Sequence, residues 1–389
     1  MALLCLAEVA SMAGFAAYPA SLPRLAALWG MSAAEAGLVG GAYFCGYMLA
    51  VPFLSGITDR VDARLVYVAS CLLAAAGLLL FALGAQGVWS AAALQALIGA
   101  GLAGTYMPGL KALVDRAGGA RLPRWIAFYT ATFGVGTSAS LLATGFLEAR
   151  LSWQASFALL GLGPLAAAGL AWVGLRPVAP QGATGSGWWP RLGPVLREPA
   201  VLRVALGYGA HCWELFGLRS WMVAFFAFAA GSGQAALLAP TGAAALINLI
   251  GLPASILGNE LAAKCGRMRW VAGCMLASGL LCWAAGGAGG GPAWLMLLLV
   301  TAHNIAVMGD SAALTAGMVA TAPAALRGAA LALHSVLGFG AGFIAPLVFG
   351  AILDLAGGRG DAHAWWFAYG SLGVWGVVWV LWPRRAVRG

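Results

Sequence analysis

The sequence predicts an all-α integral membrane protein with twelve transmembrane helices in two six-helix bundles. Three observations carry this. The 389-residue chain is 62% hydrophobic and 8% charged, whereas a soluble domain is roughly 25% charged. Apolar runs of about twenty residues, long enough to cross a hydrocarbon core of about 30 Å as helix, recur along its whole length. The longest interruption, RPVAPQGATGSGWWPRLGPVLREPA at 176–200, is rich in Pro and Gly and falls after the sixth run. It divides the chain into a bundle at 1–175, a linker at 176–200 and a second bundle at 201–389.

The runs follow in order. The first, 3–23, is apolar and rich in alanine, but it lacks the basic start of a secretory leader and Glu8 interrupts it, so a retained helix is expected. Runs at 34–55, 64–84, 88–110, 125–147 and 153–175 complete the first bundle. The second comprises 203–229, 233–257, 269–287, 292–319, 328–353 and 364–383. Glycine totals 57, and in lipid small residues let helix backbones approach closely. Gly37-x-x-x-Gly41 and Gly338-x-x-x-Gly342 have the spacing for such contacts. In the last run, Trp365 and Trp366 stand about 24 Å along the helix axis from Trp379 and Trp382, the separation of two interfacial belts, which predicts a lipid-facing helix.

The net charge of +9 does not point to nucleic acid, because the basic residues follow the topology. With a cytoplasmic N-terminus, the outer loops hold only Arg24, Arg150 and Arg359, and Arg219 lies within a span, which leaves 17 of the 21 Lys and Arg on the inner side. This bias predicts both termini in the cytoplasm and a multi-pass protein of the plasma (inner) membrane. The seven cysteines show no C-x-x-C spacing, so neither a disulfide framework nor a zinc site is expected, and no cofactor is called for. The two lysines, Lys111 and Lys264, do not sit in a Walker A loop, so ATP does not drive the protein. Neither H-E-x-x-H nor G-x-S-x-G occurs, and an enzyme is not expected.

GYGAHCWELFGLRSWMVAFF, 207–226, puts three ionisable residues into the seventh span, although each costs about 2.5 to 3.5 kcal/mol at the bilayer centre on insertion scales. His211 and Glu214 lie about 60° apart around the helix, on one face. Arg219 is about 140° from Glu214, so it reaches toward another helix or a cavity. In the tenth span, His303 and Asp310 share a stripe, and Asn304 and Ser311 form a second one beside it. Glu214, Asp310, His211 and His303 are therefore the proton-coupling candidates, and Arg219, Asn304, Ser311, Glu8 and Gln95 the substrate-binding candidates. The bland alternative is that either acid is locked in an interhelical contact that only holds the bundle together. Lys111 is expected to snorkel to the headgroups, and His334 is left open.

SGITDRVDARLVY, 55–67, resembles the loop signature G-x-L-A-D-R-x-G-R-K of the major facilitator superfamily, with Asp59 and Arg60 on its Asp-Arg pair and Arg64 on its last basic position. LAAKCGRMR, 261–269, repeats it in the second half, where Gly266 and Arg267 fit and Ala263 replaces the Asp. Gln95-x-x-x-Gly99-x-Gly101 has glutamine where many members have arginine, and Gly342-x-x-x-Pro346-x-x-x-Gly350 lies in the eleventh span. The resemblance implies two bundles rocking about a central cavity lined by helices 1, 4, 7 and 10, with Glu8 joining from helix 1. It also implies a cytoplasmic gate of Asp59, Arg60, Arg64, Gly266 and Arg267, with Asp59 meeting the start of helix 11 near Gly328.

The expected function is secondary active transport of a small organic solute by alternating access, coupled to protons, by a monomer without metal or nucleic-acid partner. One alternative is an uncoupled facilitator or exchanger of small anions, favoured by Gln95. Another is a membrane sensor or scaffold of the same fold, against which stands the lack of any stretch long enough for a signalling domain.

Overall fold

A computed structural model describes residues 1–117, 121–180, 192–231, 237–323 and 326–382. The middle of the linker, 181–191, lies outside the described residues, as do Arg384, Arg385 and Arg388. Twelve helices are long and apolar enough to cross a membrane: α1 Ala2–Leu28, α2 Ala33–Ile57, α3 Ala63–Gly84, α4 Val88–Arg116, α5 Arg124–Glu148, α6 Trp153–Gly174, α7 Pro199–Gly231, α8 Pro240–Cys265, α9 Arg267–Gly290, α10 Ala293–Thr321, α11 Arg327–Leu355 and α12 Ala362–Leu381. No strand occurs among the described residues.

α1 and α8 run on to Leu28 and Cys265 and α7 begins at Pro199, beyond the sequence reading, and two further boundaries differ for local reasons. α8 starts at Pro240 rather than 233, because proline's fixed φ and missing N–H suit a first turn. α4 continues past 110, where Lys111 pairs with Asp115 one turn on at 3.0 Å instead of snorkelling alone, and Arg116 pairs with Asp62 at 2.7 Å.

α1 is broken by a 3-10 turn at Met12–Gly14. A single hydroxyl from α5 repairs the break: Ser140 Oγ accepts from the Ala16 N–H at 2.9 Å and donates to the Ala13 carbonyl at 2.6 Å. Phe15 sits at this break and faces the centre of the molecule. α12 is interrupted at Gly373, where added side-chain bulk would meet Gly279 and Cys282. The expectation that α12 faces only lipid is half right. Trp366 and Trp382 are exposed, but Trp365 and Trp379 are buried and donate their indole N–H groups to the carbonyls of Arg359 and Arg203.

The two bundles meet along α2–α11, α5–α8 and α1–α7. The first seam is glycine-built. A Cβ on Gly37 or Gly41 would strike the carbonyl of Pro346 or Phe343, and one on Gly350 the carbonyl of Ala33. Across the same seam, the Asp354 carboxylate accepts from the first N–H groups of α2, Ala33 at 2.9 Å and Ala34 at 2.8 Å, where unpaired donors and the helix dipole favour an anion. Arg359 donates to the Met31 carbonyl at 2.8 Å. These clasps lie at the end of the bundle away from Met1. Toward the Met1 end the same helix exposes Leu49 and Phe53, and the described clasps between the halves lie at the far end.

The basic-residue bias sets the expected orientation in the membrane. In a cysteine-free background, a single cysteine at Gly290 is expected to react with an impermeant thiol reagent only from outside the cell, and one at Gly185, outside the described residues, only from the cytoplasm. The reverse labelling pattern overturns the orientation.

Candidate functional site

Midway between the bundles lies a narrow cavity of about 30 Å³. α1 and α2 give it an aromatic wall of Phe15, Tyr18, Tyr43 and Phe44. Polar groups enter from several helices: Gln95 from α4, Thr137 from α5, Arg219 and Ser220 from α7, and Asn248 from α8. Arg219 is the cation in this wall. Its Nη2 lies 3.9 Å from the Met308 sulfur, its Nε has no partner, and among the described residues no carboxylate lies within ion-pair distance of it. The Tyr43 hydroxyl and the Asn248 side-chain oxygen are likewise buried without partners. A guanidinium, a phenol and two amides thus surround one space.

Beside the cavity, α7 and α10 run antiparallel and exchange two acid–histidine pairs. His303 Nε2 on α10 meets Glu214 Oε1 on α7 at 2.7 Å, and Ser278 from α9 donates to the other Glu214 oxygen at 2.9 Å. His211 Nδ1 on α7 meets Asp310 Oδ1 on α10 at the same 2.7 Å. In this second pair the ring N–H direction is off the oxygen, so the contact is close but without an aligned hydrogen bond, and neither atom has another partner. All four side chains are buried. One proton between each ring nitrogen and its carboxylate leaves each pair net neutral, whichever atom carries it.

The geometry sorts the sequence candidates. His211, Glu214, His303 and Asp310 are brought together, each acid with the histidine of the opposite helix. Arg219 and Gln95 line the cavity. Asn304 is wholly buried and donates to the Ile247 carbonyl at 2.8 Å, which ties α10 to α8. Ser311 is half-buried and receives its described contact from Thr315. Glu8 requires a correction: its carboxyl is fully buried inside the first bundle and is not among the cavity-lining residues, because it lies one helical turn before the break that turns Phe15 inward. His334 stacks on Tyr208 at 3.5 Å between ring centroids and stays out of both pairs.

The gate candidates also differ from expectation. Asp59 is exposed, and no described contact joins it to α11. Arg64 donates to the Trp172 and Leu175 carbonyls, and Arg267 to the Ala313 carbonyl, each within its own half. Gly266 caps α8 with φ of 90°, a left-handed conformation that favours glycine. The charged knot at this end is centred on Asp62, which takes hydrogen bonds from Arg116 and from the Val178 and Arg64 N–H groups. Burial pushes its carboxyl up, but those donors and the Arg116 charge outweigh burial and hold it below the usual carboxylate range.

The sequence profile of the Major Facilitator Superfamily matches residues 4–255, well over half of the chain. The chain belongs to this superfamily. It is thus a membrane transporter with the superfamily's twelve-helix fold. Among the similar solved structures are two of a bacterial homolog to the human lysosomal transporter Spinster, one inward-facing and occupied, the other inward-facing and unoccupied. Each has a TM-score of 0.77 at 15% identity, over 97% of this chain and 94% of the other. That likeness establishes the fold of this superfamily member. No curated protein matches the chain in sequence.

Asn248, Ser278 and Tyr43 were not among the sequence candidates. Asn248 left a readable signal, a lone amide in the apolar run GAAALINLIGL. Ser278 and Tyr43 left none, since serine and tyrosine are ordinary residues in a transmembrane helix.

Proposed function

We propose that this transporter is a proton-coupled symporter of a small organic anion, working by alternating access at the plasma (inner) membrane. The observation that carries the reading is Arg219, without a carboxylate partner, in the cavity wall, together with the two buried acid–histidine pairs of α7 and α10. Net charge in a low-dielectric site is expensive. With both pairs protonated and the cavity empty, the site holds one uncompensated positive charge, that of Arg219. It becomes neutral in two ways: an anion binds to Arg219, or one proton leaves a pair. The two inexpensive states therefore differ by one anion plus one proton, which is electroneutral symport. The clasps at Asp354 and Arg359 would have to release for the cavity to open at the far end.

Arg219→Ala should lower uptake efficiency for the anion by about 10- to 100-fold, since a hydrogen bond to a charged partner is worth about 1.5–3 kcal/mol. Arg219→Lys, which keeps the charge but loses the fork geometry, should fall between Arg219→Ala and wild type. The measurement is uptake by proteoliposomes of a panel of labelled carboxylates, neutral solutes and amines. An unchanged solute profile in Arg219→Ala rules out the anion site. Uncoupled exchange is favoured by the neutral Gln95 in the same wall, and the acid variants described in the Discussion separate it from symport.

A further inference from the structure

His334 on α11 is a buried histidine that neither acid–histidine pair uses. Its ring lies flat on Tyr208 of α7, with centroids 3.5 Å and planes 13° apart, and Tyr208 in turn stacks on His211 at 5.8 Å and 23°. Gly338, one turn along α11, makes this fit possible, since a Cβ there would strike the Tyr208 ring. The Tyr208 hydroxyl shares a hydrogen bond with the Cys212 thiol. Of the two His334 nitrogens, Nε2 has the Thr315 hydroxyl of α10 at 3.5 Å, and Nδ1 is buried without a partner. Thr315 has one proton to donate, and the Ser311 carbonyl accepts it at 3.3 Å. Nε2 then carries the ring proton and gives it to the Thr315 oxygen, which leaves Nδ1 as a bare lone pair. In the opposite tautomer a neutral ring strands an N–H at Nδ1, the costlier orphan. A charged ring would bury a cation with no carboxylate within 4.0 Å of it among the described residues. His334 at rest is therefore neutral, with one basic nitrogen vacant.

The titratable groups that face this ring are Tyr208, His211 and Cys212 of α7, with Asp310 of α10 behind His211. Tyr47 of α2 and Tyr106 of α4 face the Tyr208 phenol. The short helix Leu192–Val195 packed on α11 brings none, and α12 meets α11 nearer its far end, where Tyr369 touches Phe349. Arg327 on α11 itself is exposed in the first turn. The phenols and the thiol are neutral in the ordinary pH range, so among these neighbours the His211–Asp310 pair is the one whose charge changes. Two imidazoliums this close would repel in a low-dielectric interior, so one of the two rings is charged at a time. Thr315 is exposed and stands five residues, about 7.5 Å along α10, closer to the Met1 end than Asp310. His334 thus lies between the pair and that end of the protein.

We propose that His334 is the proton acceptor through which the His211–Asp310 pair empties toward the Met1 end. The proton that leaves the pair binds the vacant Nδ1, and the ring gives its Nε2 proton to water beside the exposed Thr315. One proton enters the ring and one leaves it, so the ring ends neutral, and exchange with water restores the resting tautomer. Tyr208 separates the two imidazoles, so the transfer passes through a water that enters beside it. The proposal rests on the symport reading above and adds the route by which its proton leaves.

The test uses the full chain in proteoliposomes with the labelled carboxylates of the panel above. In His334→Gln the rate of pH-driven net uptake should fall about 100-fold relative to counterflow, which needs no proton release; this is the low end for losing a positioned proton-transfer group. The final accumulation ratio should be kept, because a relay sets a rate and not a stoichiometry. That endpoint separates His334 from the acids of the pairs, whose loss abolishes accumulation itself. In His334→Ala, imidazole and methylimidazoles in the buffer should restore the rate in the order of their basicity, a dependence that mere filling of the space would not give. A ratio of net uptake to counterflow in His334→Gln that matches wild type across about pH 5 to 8 overturns the proposal. Should that variant fail to fold, an unchanged ratio in Thr315→Val, which alters one exposed hydroxyl, overturns it equally. Wild type that accumulates no carboxylate under a pH gradient overturns the symport reading instead, and the proposal falls with it.

Discussion

At least one of Asp310→Asn and Glu214→Gln is expected to reduce substrate accumulation driven by a pH gradient to simple equilibration, while substrate exchange across the membrane continues. In electroneutral symport, a gradient of about one pH unit is worth about 1.4 kcal/mol, a tenfold concentration ratio. Asparagine and glutamine keep the shape of the acids but cannot hold the mobile proton. The variant pair then lacks the carboxyl that takes up and releases the proton, and the cycle no longer requires a proton to accompany the anion. Removing one partner of a buried pair also costs stability, about 3–5 kcal/mol where the remaining charge stays unpaired. Here the histidine escapes most of that cost by losing its proton. Ser278 still has an oxygen to donate to in Glu214→Gln, so that variant should fold with a modest loss of thermal stability. The check is accumulation and counterflow on the same proteoliposomes. If both variants concentrate substrate as well as wild type, the pairs are structural and uncoupled exchange becomes the better reading.

Gly41→Val is expected to be far more disruptive than any glycine substitution on the lipid face. The obstacle at Gly41 is the main-chain carbonyl of Phe343, as it is that of Pro346 at Gly37, and backbone cannot rotate aside as a leucine tip does. Overpacking a well-fitted contact costs about 1–3 kcal/mol, and a rigid obstacle puts this site at the upper end. If the cost falls on the closed seam alone, the balance between far-end closed and far-end open shifts by about 100-fold, at 1.4 kcal/mol per decade. A cysteine at the far end should then become reactive while transport falls. Gly273→Ala on α9 is the control: nothing lies within 4 Å of its added carbon, and stability should rise slightly through helix propensity. Equal behaviour of the two substitutions would deny the seam its role.

The twelve spans were legible because the hydrocarbon core imposes a length and a composition on every crossing helix; Pro240 and the Lys111–Asp115 pair explain two of the ends that moved, while α1 and α8 also run on to Leu28 and Cys265. The ionisable residues of α7 and α10 were legible because lipid makes each one conspicuous. Their pairing was not. Helical angles place His211 beside Glu214 on its own helix, and only the antiparallel packing of α7 on α10 joins each acid to the other helix's histidine. Glu8 misled for a related reason. Its place on the first helix suggested the cavity, but the break at Met12–Gly14 redirects the chain and gives the cavity to Phe15. Asp354 went unnoticed because an acid near a helix end looks like a solvated terminus, and its partners are not side chains at all.

That last point bears on how this protein can vary between relatives. The Asp354 clasp joins one side chain to two main-chain N–H groups, so it constrains a single position. Residues 33 and 34 can drift among small side chains without disturbing it, and no compensating exchange elsewhere in the chain can restore it once residue 354 changes. Methods that find contacts from paired substitutions will therefore pass over the clasp. The same holds for the glycine contacts with the Phe343 and Pro346 carbonyls. The joint between the two halves would appear in an alignment as isolated, unchanging columns with no partner column, and a map built from covariation would leave the far-end closure of this transporter nearly blank.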